Sequence, residues 1–202
     1  MSINKKYIII SLLLLGVNAS FCFSQDSTAI MKRARYNEYF QKGKYMVGLN
    51  FFYTPLASST NWTTTGQAGY FIANKWVGGV QLTTYGDKST YDRFPNGLYS
   101  KSSQFSISPE IYTRYYISSS RFRPFVQLSA GYKAYSSTKT LTGTEQQETI
   151  KSNGMTYGGA IGISYQAAKS VNIELLYNHQ YFKKKRDLGD MKLRLGVTVL
   201  LK

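Results

Sequence analysis

The stretch Met191-Lys192-Leu193-Arg194-Leu195-Gly196-Val197-Thr198-Val199-Leu200-Leu201 decides the fold. Met191, Leu193, Leu195, Val197, Val199 and Leu201 fall on one side, and Lys192, Arg194, Gly196 and Thr198 on the other. Side chains alternate across a strand with period two, so this is a strand with one apolar and one polar face. A helix would scatter the same residues around its circumference.

Working back toward the N-terminus, the same alternation recurs seven times. The runs are 45–53, 63–71, 76–85, 103–116, 124–135, 155–165 and 171–178. In 45–53, Tyr45, Val47, Leu49, Phe51 and Tyr53 oppose Met46, Gly48, Asn50 and Phe52. In 103–116, Phe105, Ile107, Ile111 and Tyr115 oppose Ser106, Ser108, Glu110 and Arg114. In 171–178, Val171, Ile173, Leu175 and Tyr177 oppose Asn172, Glu174 and Asn178. That makes eight strands, most of about 9–11 residues, the length that a tilted strand needs to cross a bilayer.

The connections alternate as well. Those near 73–75, 118–120 and 166–169 are short, and those at 54–62, 86–102, 136–153 and 179–190 are longer. Short periplasmic turns and longer extracellular loops are the plan of a transmembrane barrel. The expected fold is all-β, an eight-stranded antiparallel transmembrane β-barrel.

Alternation alone leaves open which face is inside. A soluble barrel turns its apolar face inward, and a membrane barrel turns it to lipid. The polar face here is rich in Gly, Ser and Thr and carries both signs of charge: Glu110 and Glu174 against Arg114, Lys133, Lys192 and Arg194. These six are expected to form a polar and ionic network in the lumen. Aromatic residues recur near strand ends (Tyr45, Tyr53, Tyr70, Trp76, Tyr115, Tyr165, Tyr177), where a membrane-interface girdle lies. An eight-stranded lumen is narrow enough for side chains to fill.

Composition agrees. The chain has 202 residues, 18 Tyr, 11 Phe, one Cys and one His, with a formal net charge of +15. One Cys and one His exclude a disulfide framework and a His-rich or structural zinc centre. No cofactor is expected. The mean hydropathy of −0.29 suits a barrel in which every second strand residue faces a polar lumen.

Residues 1–24 read as a secretory signal peptide. Lys5 and Lys6 are its basic region, 7–17 its apolar region, and Cys22-Phe23-Ser24 ends in a small residue before Gln25. Phe21 stands where a lipoprotein signal needs a small residue, which argues against lipidation of Cys22. Lys5 and Lys6 would leave with the signal and take two of the fifteen net charges. A secreted chain has little access to nucleic acid, so none is expected as a partner. Residues 25–43 are a polar periplasmic lead-in, and 44–202 the barrel domain.

The stretch Ser108-Pro109-Glu110-Ile111-Tyr112-Thr113-Arg114-Tyr115-Tyr116, a turn, and Phe122-Arg123-Pro124-Phe125-Val126-Gln127-Leu128-Ser129-Ala130-Gly131-Tyr132 resembles the small outer-membrane β-barrel domain family (OmpX/OmpA-like, porin-family). The stretch 69–79 does so too. The resemblance covers about 44–202 and speaks to architecture, not activity. It implies the outer membrane of a Gram-negative bacterium and insertion by the barrel assembly machinery. In one departure, the chain ends Val199-Leu200-Leu201-Lys202 without the terminal aromatic residue common in such barrels.

Chemistry is sparsely signalled. Some small outer-membrane barrels resemble lipid A deacylases, which use a His beside a Ser. The sole candidate base is His179, with no Ser within two residues of it. Asp187 or Asp190 would have to orient it. The expectation is a non-enzymatic barrel with a structural or surface-interaction role, acting as a monomer. The alternatives are an adhesin or ligand-binding barrel meeting an extracellular partner through its long loops, a narrow pore for small solutes, and a lipid A-modifying enzyme. The run Lys183-Lys184-Lys185-Arg186 is the sharpest local charge and a candidate contact for lipopolysaccharide phosphates, with outer-membrane lipid around it.

Overall fold

A computed structural model describes residues 40–56, 59–92, 99–141, 147–182 and 190–201. All of them belong to the unit Tyr36–Lys202. The signal peptide expected at 1–24 lies outside the described residues, as do most of the lead-in and the basic run Lys183–Arg186.

Eight strands follow one another: β1 Tyr45–Leu56, β2 Ser59–Ala73, β3 Trp76–Asp92, β4 Tyr99–Tyr116, β5 Phe122–Leu141, β6 Gln147–Gln166, β7 Val171–Phe182 and β8 Asp190–Leu201. Each pairs antiparallel with the next, and β1 pairs with β8, so the sheet closes into a barrel in sequence order. The closing seam runs from Tyr45 opposite Leu201 to Phe51 opposite Leu195. Closure leaves no sheet edge and pairs the backbone donors and acceptors around the ring.

The usual burial is inverted. Gln67, Gln81, Glu110, Arg114, Gln127, Glu174 and Arg194 are buried, while Leu49, Val80, Ile111, Leu128, Ile161, Leu195 and Val197 are exposed. A continuous apolar exterior around a polar interior is stable in hydrocarbon, not in water. The period-two pattern makes this possible. Every second residue can be apolar for lipid while its neighbours bond to one another inside.

Glycine admits the larger inward side chains. A Cβ on Gly131 would stand 2.2 Å from the Pro109 carbonyl oxygen and 2.7 Å from Glu110 Cα. Without it, β4 and β5 approach closely beside Glu110.

The strands run further than the sequence pattern suggests. β5 and β6 have 20 residues each and β4 has 18, against the roughly 9–11 that a bilayer needs. Much of the segments expected as long loops, 86–102 and 136–153, is therefore strand, as are 54–56, 59–62 and 179–182. On β3, β4 and β5 the outward positions there, such as Lys88, Lys101, Ser136, Thr138 and Thr140, are polar because they have left the hydrocarbon. The alternation fades, yet the hydrogen-bonded ladder continues, as from Ser100 opposite Leu141 to Ile107 opposite Ala134.

Candidate functional site: the filled lumen

The lumen is crossed by one hydrogen-bonded chain. Arg114 on β4 and Glu174 on β7 form its centre, both without solvent exposure. Arg114 Nη1 donates to Glu174 Oε1 and Oε2 at 2.9 Å each, and to the Tyr116 hydroxyl at 3.1 Å. Its Nη2 donates to Gln67 Oε1 at 3.1 Å, and its Nε to Gln127 Oε1 at 2.8 Å. Gln127 Nε2 then donates to Gln81 Oε1 at 2.9 Å, and Gln81 Nε2 to Glu110 Oε2 at 2.7 Å. Gln180 Nε2 donates to the other Glu110 oxygen. The chain from Glu174 to Gln180 thus ties together β3, β4, β5 and β7, and Gln67 adds β2. A buried charge needs a partner and filled hydrogen-bond positions, and Arg114 has both.

The guanidinium also lies against two adjoining rings. Its carbon lies 4.2 Å from the Phe125 ring centroid and 5.8 Å from that of Tyr116. Arginine's planar, weakly hydrated head suits this combination of fork and face.

The strand-turn end, with connections 74–75, 117–121 and 167–170, is closed by an aromatic cluster. Phe40, from the end of the lead-in, packs edge-on against Phe71 at 5.4 Å and Tyr116 at 4.8 Å. The Arg123 guanidinium lies 4.0 Å from the Phe40 centroid and donates to Gln166 Oε1. Backbone bonds hold the lead-in there. Lys75 N donates to the Phe40 carbonyl at 2.9 Å, and Gly43 N to the Phe71 carbonyl at 3.0 Å. The two-residue connection Asn74–Lys75 places Lys75 at φ 67° and lets Asn74 Oδ1 accept from Lys42 N at 3.1 Å.

Toward the other end, Arg194 Nη1 donates to Thr65 Oγ1 at 2.8 Å, and Lys192 Nζ donates to Thr63 Oγ1 at 3.3 Å. Lys192 Nζ also sits 3.7 Å from the Tyr85 ring centroid, and Lys133 Nζ 5.7 Å from that of Phe182. Of the six charged residues read from the sequence, the structure joins Glu110, Arg114 and Glu174 in one chain. Lys133 and Lys192 approach the shared Tyr85 ring instead, and Arg194 stands with Thr65.

Arg123 and Phe40 are not among the sequence candidates. Arg123 has the same parity as Gln127, and that count places it inside. Phe40 precedes the first strand, where parity has nothing to say.

His179 lies in β7, not in a loop as its sequence context suggests. It falls at the parity of Tyr177 and Tyr181, opposite Gly159, and its buried Nδ1 has no hydrogen-bond partner among the described residues. Asp187 and the Asp190 side chain lie outside the described residues. Among the described residues no group of His, Cys, Asp and Glu could hold a metal ion.

The family described as outer membrane protein beta-barrel domain matches residues 15–199. No curated protein matches the chain in sequence. Among solved structures, OprG of Pseudomonas aeruginosa is similar with a TM-score of 0.54 at 11% identity, covering 80% of this chain and 97% of that one. Ail of Yersinia pestis, solved with the heparin analogue sucrose octasulfate, gives 0.51 at 12% identity, covering 80% and 100%. A major outer membrane protein of Thermus thermophilus gives 0.51 at 14%, again covering 80% and 100%. At these identities the likeness is one of fold.

Proposed function

The chain belongs to the outer membrane protein β-barrel domain family, and from that premise we propose that it is a sealed, non-enzymatic scaffold of the Gram-negative outer membrane. Its work is structural or done at the surface beyond the bilayer. The observation that carries this reading is the side-chain chain from Glu174 through Arg114, Gln127 and Gln81 to Glu110, above the Phe40–Arg123 floor. A solute would have to break a buried ion pair and displace an aromatic plug. Planar-bilayer conductance tests it: the expected result is no stable unitary current, and a steady solute conductance overturns it.

On this reading residues 1–24 are a cleaved export signal, and the barrel assembly machinery inserts the chain as a monomer. The strand-turn end is periplasmic and the extended ends of β3–β6 face outward. On this reading His179 is a wall residue of β7 and not a catalytic base. Lipid A mass spectra should be the same with and without the protein. Lys183–Arg186 remain a proposed contact for lipopolysaccharide phosphates. Replacing the four with Gln should lower lipopolysaccharide co-purification, and an unchanged amount removes them from the function.

A second reading is a ligand-binding barrel acting through the outward ends. It is favoured by strands of 18 and 20 residues that continue far past a bilayer's thickness. A pull-down with cells bearing or lacking the barrel separates it from a purely structural role.

A further inference from the structure

The outer wall changes chemistry at a defined place on each long strand. On β3 the outward positions run from Trp76 to Gly86, on β4 from Tyr115 to Phe105, and on β5 from Phe122 to Tyr132. Each stretch is eleven residues, enough to cross the hydrocarbon. At the far limit Trp62 lies over Gly86, where a Cβ would stand 2.3 Å from the indole nitrogen, and its ring centroid is 6.5 Å from that of Phe105. Such aromatics mark the headgroup level.

Directly beyond this pair the outward residues become lysines set among hydroxyls. Lys88 on β3 stands opposite Thr60 on β2 and Ser103 on β4. Lys101 on β4 stands opposite Thr90 on β3 and Thr140 on β5. Both lysines are exposed, and they line a cavity of about 400 Å³ together with these hydroxyl residues. As diagonal neighbours on adjacent strands, Lys88 and Lys101 are roughly 7–8 Å apart at the backbone. Two flexible ammonium stems at that spacing can close on one phosphate, while the hydroxyls supply further donors.

The described outward charges here are basic, and Asp92, which ends β3, shares the parity of Lys88. Among the described side chains beyond the aromatic pair on β3–β6, the outward charges are Lys88, Lys101 and Lys151. The acids Asp87 and Glu148 fall, with Lys139, at the alternate, inward parity of the same strands.

We propose that Lys88 and Lys101, with Thr60, Ser103 and Thr140, form a docking site on the outer wall for the phosphorylated headgroup of an outer-leaflet glycolipid. The site rests on the orientation given above and deepens the surface-interaction reading by naming the partner. A lipid is the source because the patch adjoins the apolar wall below it. Its ligand's acyl chains lie along Ile107 and Leu82 while its phosphate reaches the lysines.

The test uses full-length protein in phosphatidylcholine nanodiscs doped with diphosphorylated lipid A or with its dephosphorylated form. Bound lipid is read by native mass spectrometry. Near a membrane surface each lysine is worth about 1 kcal/mol, so Lys88→Gln with Lys101→Gln should weaken retention of diphosphorylated lipid A about thirtyfold. Lys139→Gln, at inward parity, should retain it as the unaltered protein does. Heat-modifiable gel mobility establishes that each variant is folded. Equal retention by the double variant overturns the proposal, as does equal retention of the dephosphorylated lipid. Displacement of the lipid by an equal concentration of inorganic phosphate also overturns it, by making the ligand a soluble anion. A conducting barrel that keeps the lipid preference would refute the sealed lumen alone.

Discussion

Arg114 and Glu174 are 60 residues apart in sequence and meet across the lumen, with Arg114 Nη1 2.9 Å from both carboxylate oxygens. Neither side chain touches solvent. Removing one partner leaves the other buried and charged, which costs about 3–5 kcal/mol. Glu174→Ala is expected to lose that much in urea unfolding in detergent micelles. Converting both residues to Met should cost less than the sum of the two single changes, since no orphan charge remains. Strict additivity would mean that the pair does not act as a unit.

The floor of the barrel makes a second prediction. Phe40 touches Phe71, Tyr116 and Arg123, so it behaves as core although it precedes the first strand. Phe40→Ala should destabilise by about 3 kcal/mol, the low end of the range for a buried aromatic. A chain beginning at Lys44 should lose at least as much, because the backbone bonds from Gly43 and Lys75 go too. Both are read from the temperature at which the compact gel band is lost. A chain from Lys44 with unchanged heat resistance would put the barrel boundary where the alternation begins.

These two sites differ in how far the sequence discloses them. Strand number, inward parity and the lumen position of Arg114 and Glu174 follow from alternation, because hydrocarbon imposes an apolar residue at every second position. Their pairing does not follow, since parity says which residues point inward and not which strands face one another. Phe71, Tyr116 and Phe125 escape for another reason. Apolar side chains close the lumen at its end, so polarity no longer distinguishes the faces there. The strand extensions at 86–92, 99–102, 136–141 and 147–153 are hidden for the opposite reason, with polar residues on both faces.

Close approach of β4 and β5 gives a third prediction. A Cβ at Gly131 would press on backbone atoms of Pro109 and Glu110, which cannot swing away, whereas a Cβ at Gly66 meets nothing within 4 Å. Gly131→Ala should therefore cost about 1–3 kcal/mol by overpacking. Gly66→Ala should leave the unfolding midpoint where it is. Equal midpoints for the two variants would mean that the wall yields at Gly131 by a shift of the strands.

The apolar wall itself can be tested by placing one charge at two heights. Leu195 is 63% exposed, lies midway along β8 and pairs with Phe51 and Leu175 on either side. It therefore faces the middle of the hydrocarbon, where arginine costs about 2–4 kcal/mol. Thr140 lies on the same outward face of β5 but well past Tyr132, where the cost falls to about 0–1 kcal/mol. Leu195→Arg should then fold poorly into lipid vesicles while Thr140→Arg folds as the unaltered chain does. The contrast is the informative quantity, because a water-soluble barrel with an exposed apolar wall would gain from both changes. Improved solubility of Leu195→Arg without detergent would mean that the wall faces water.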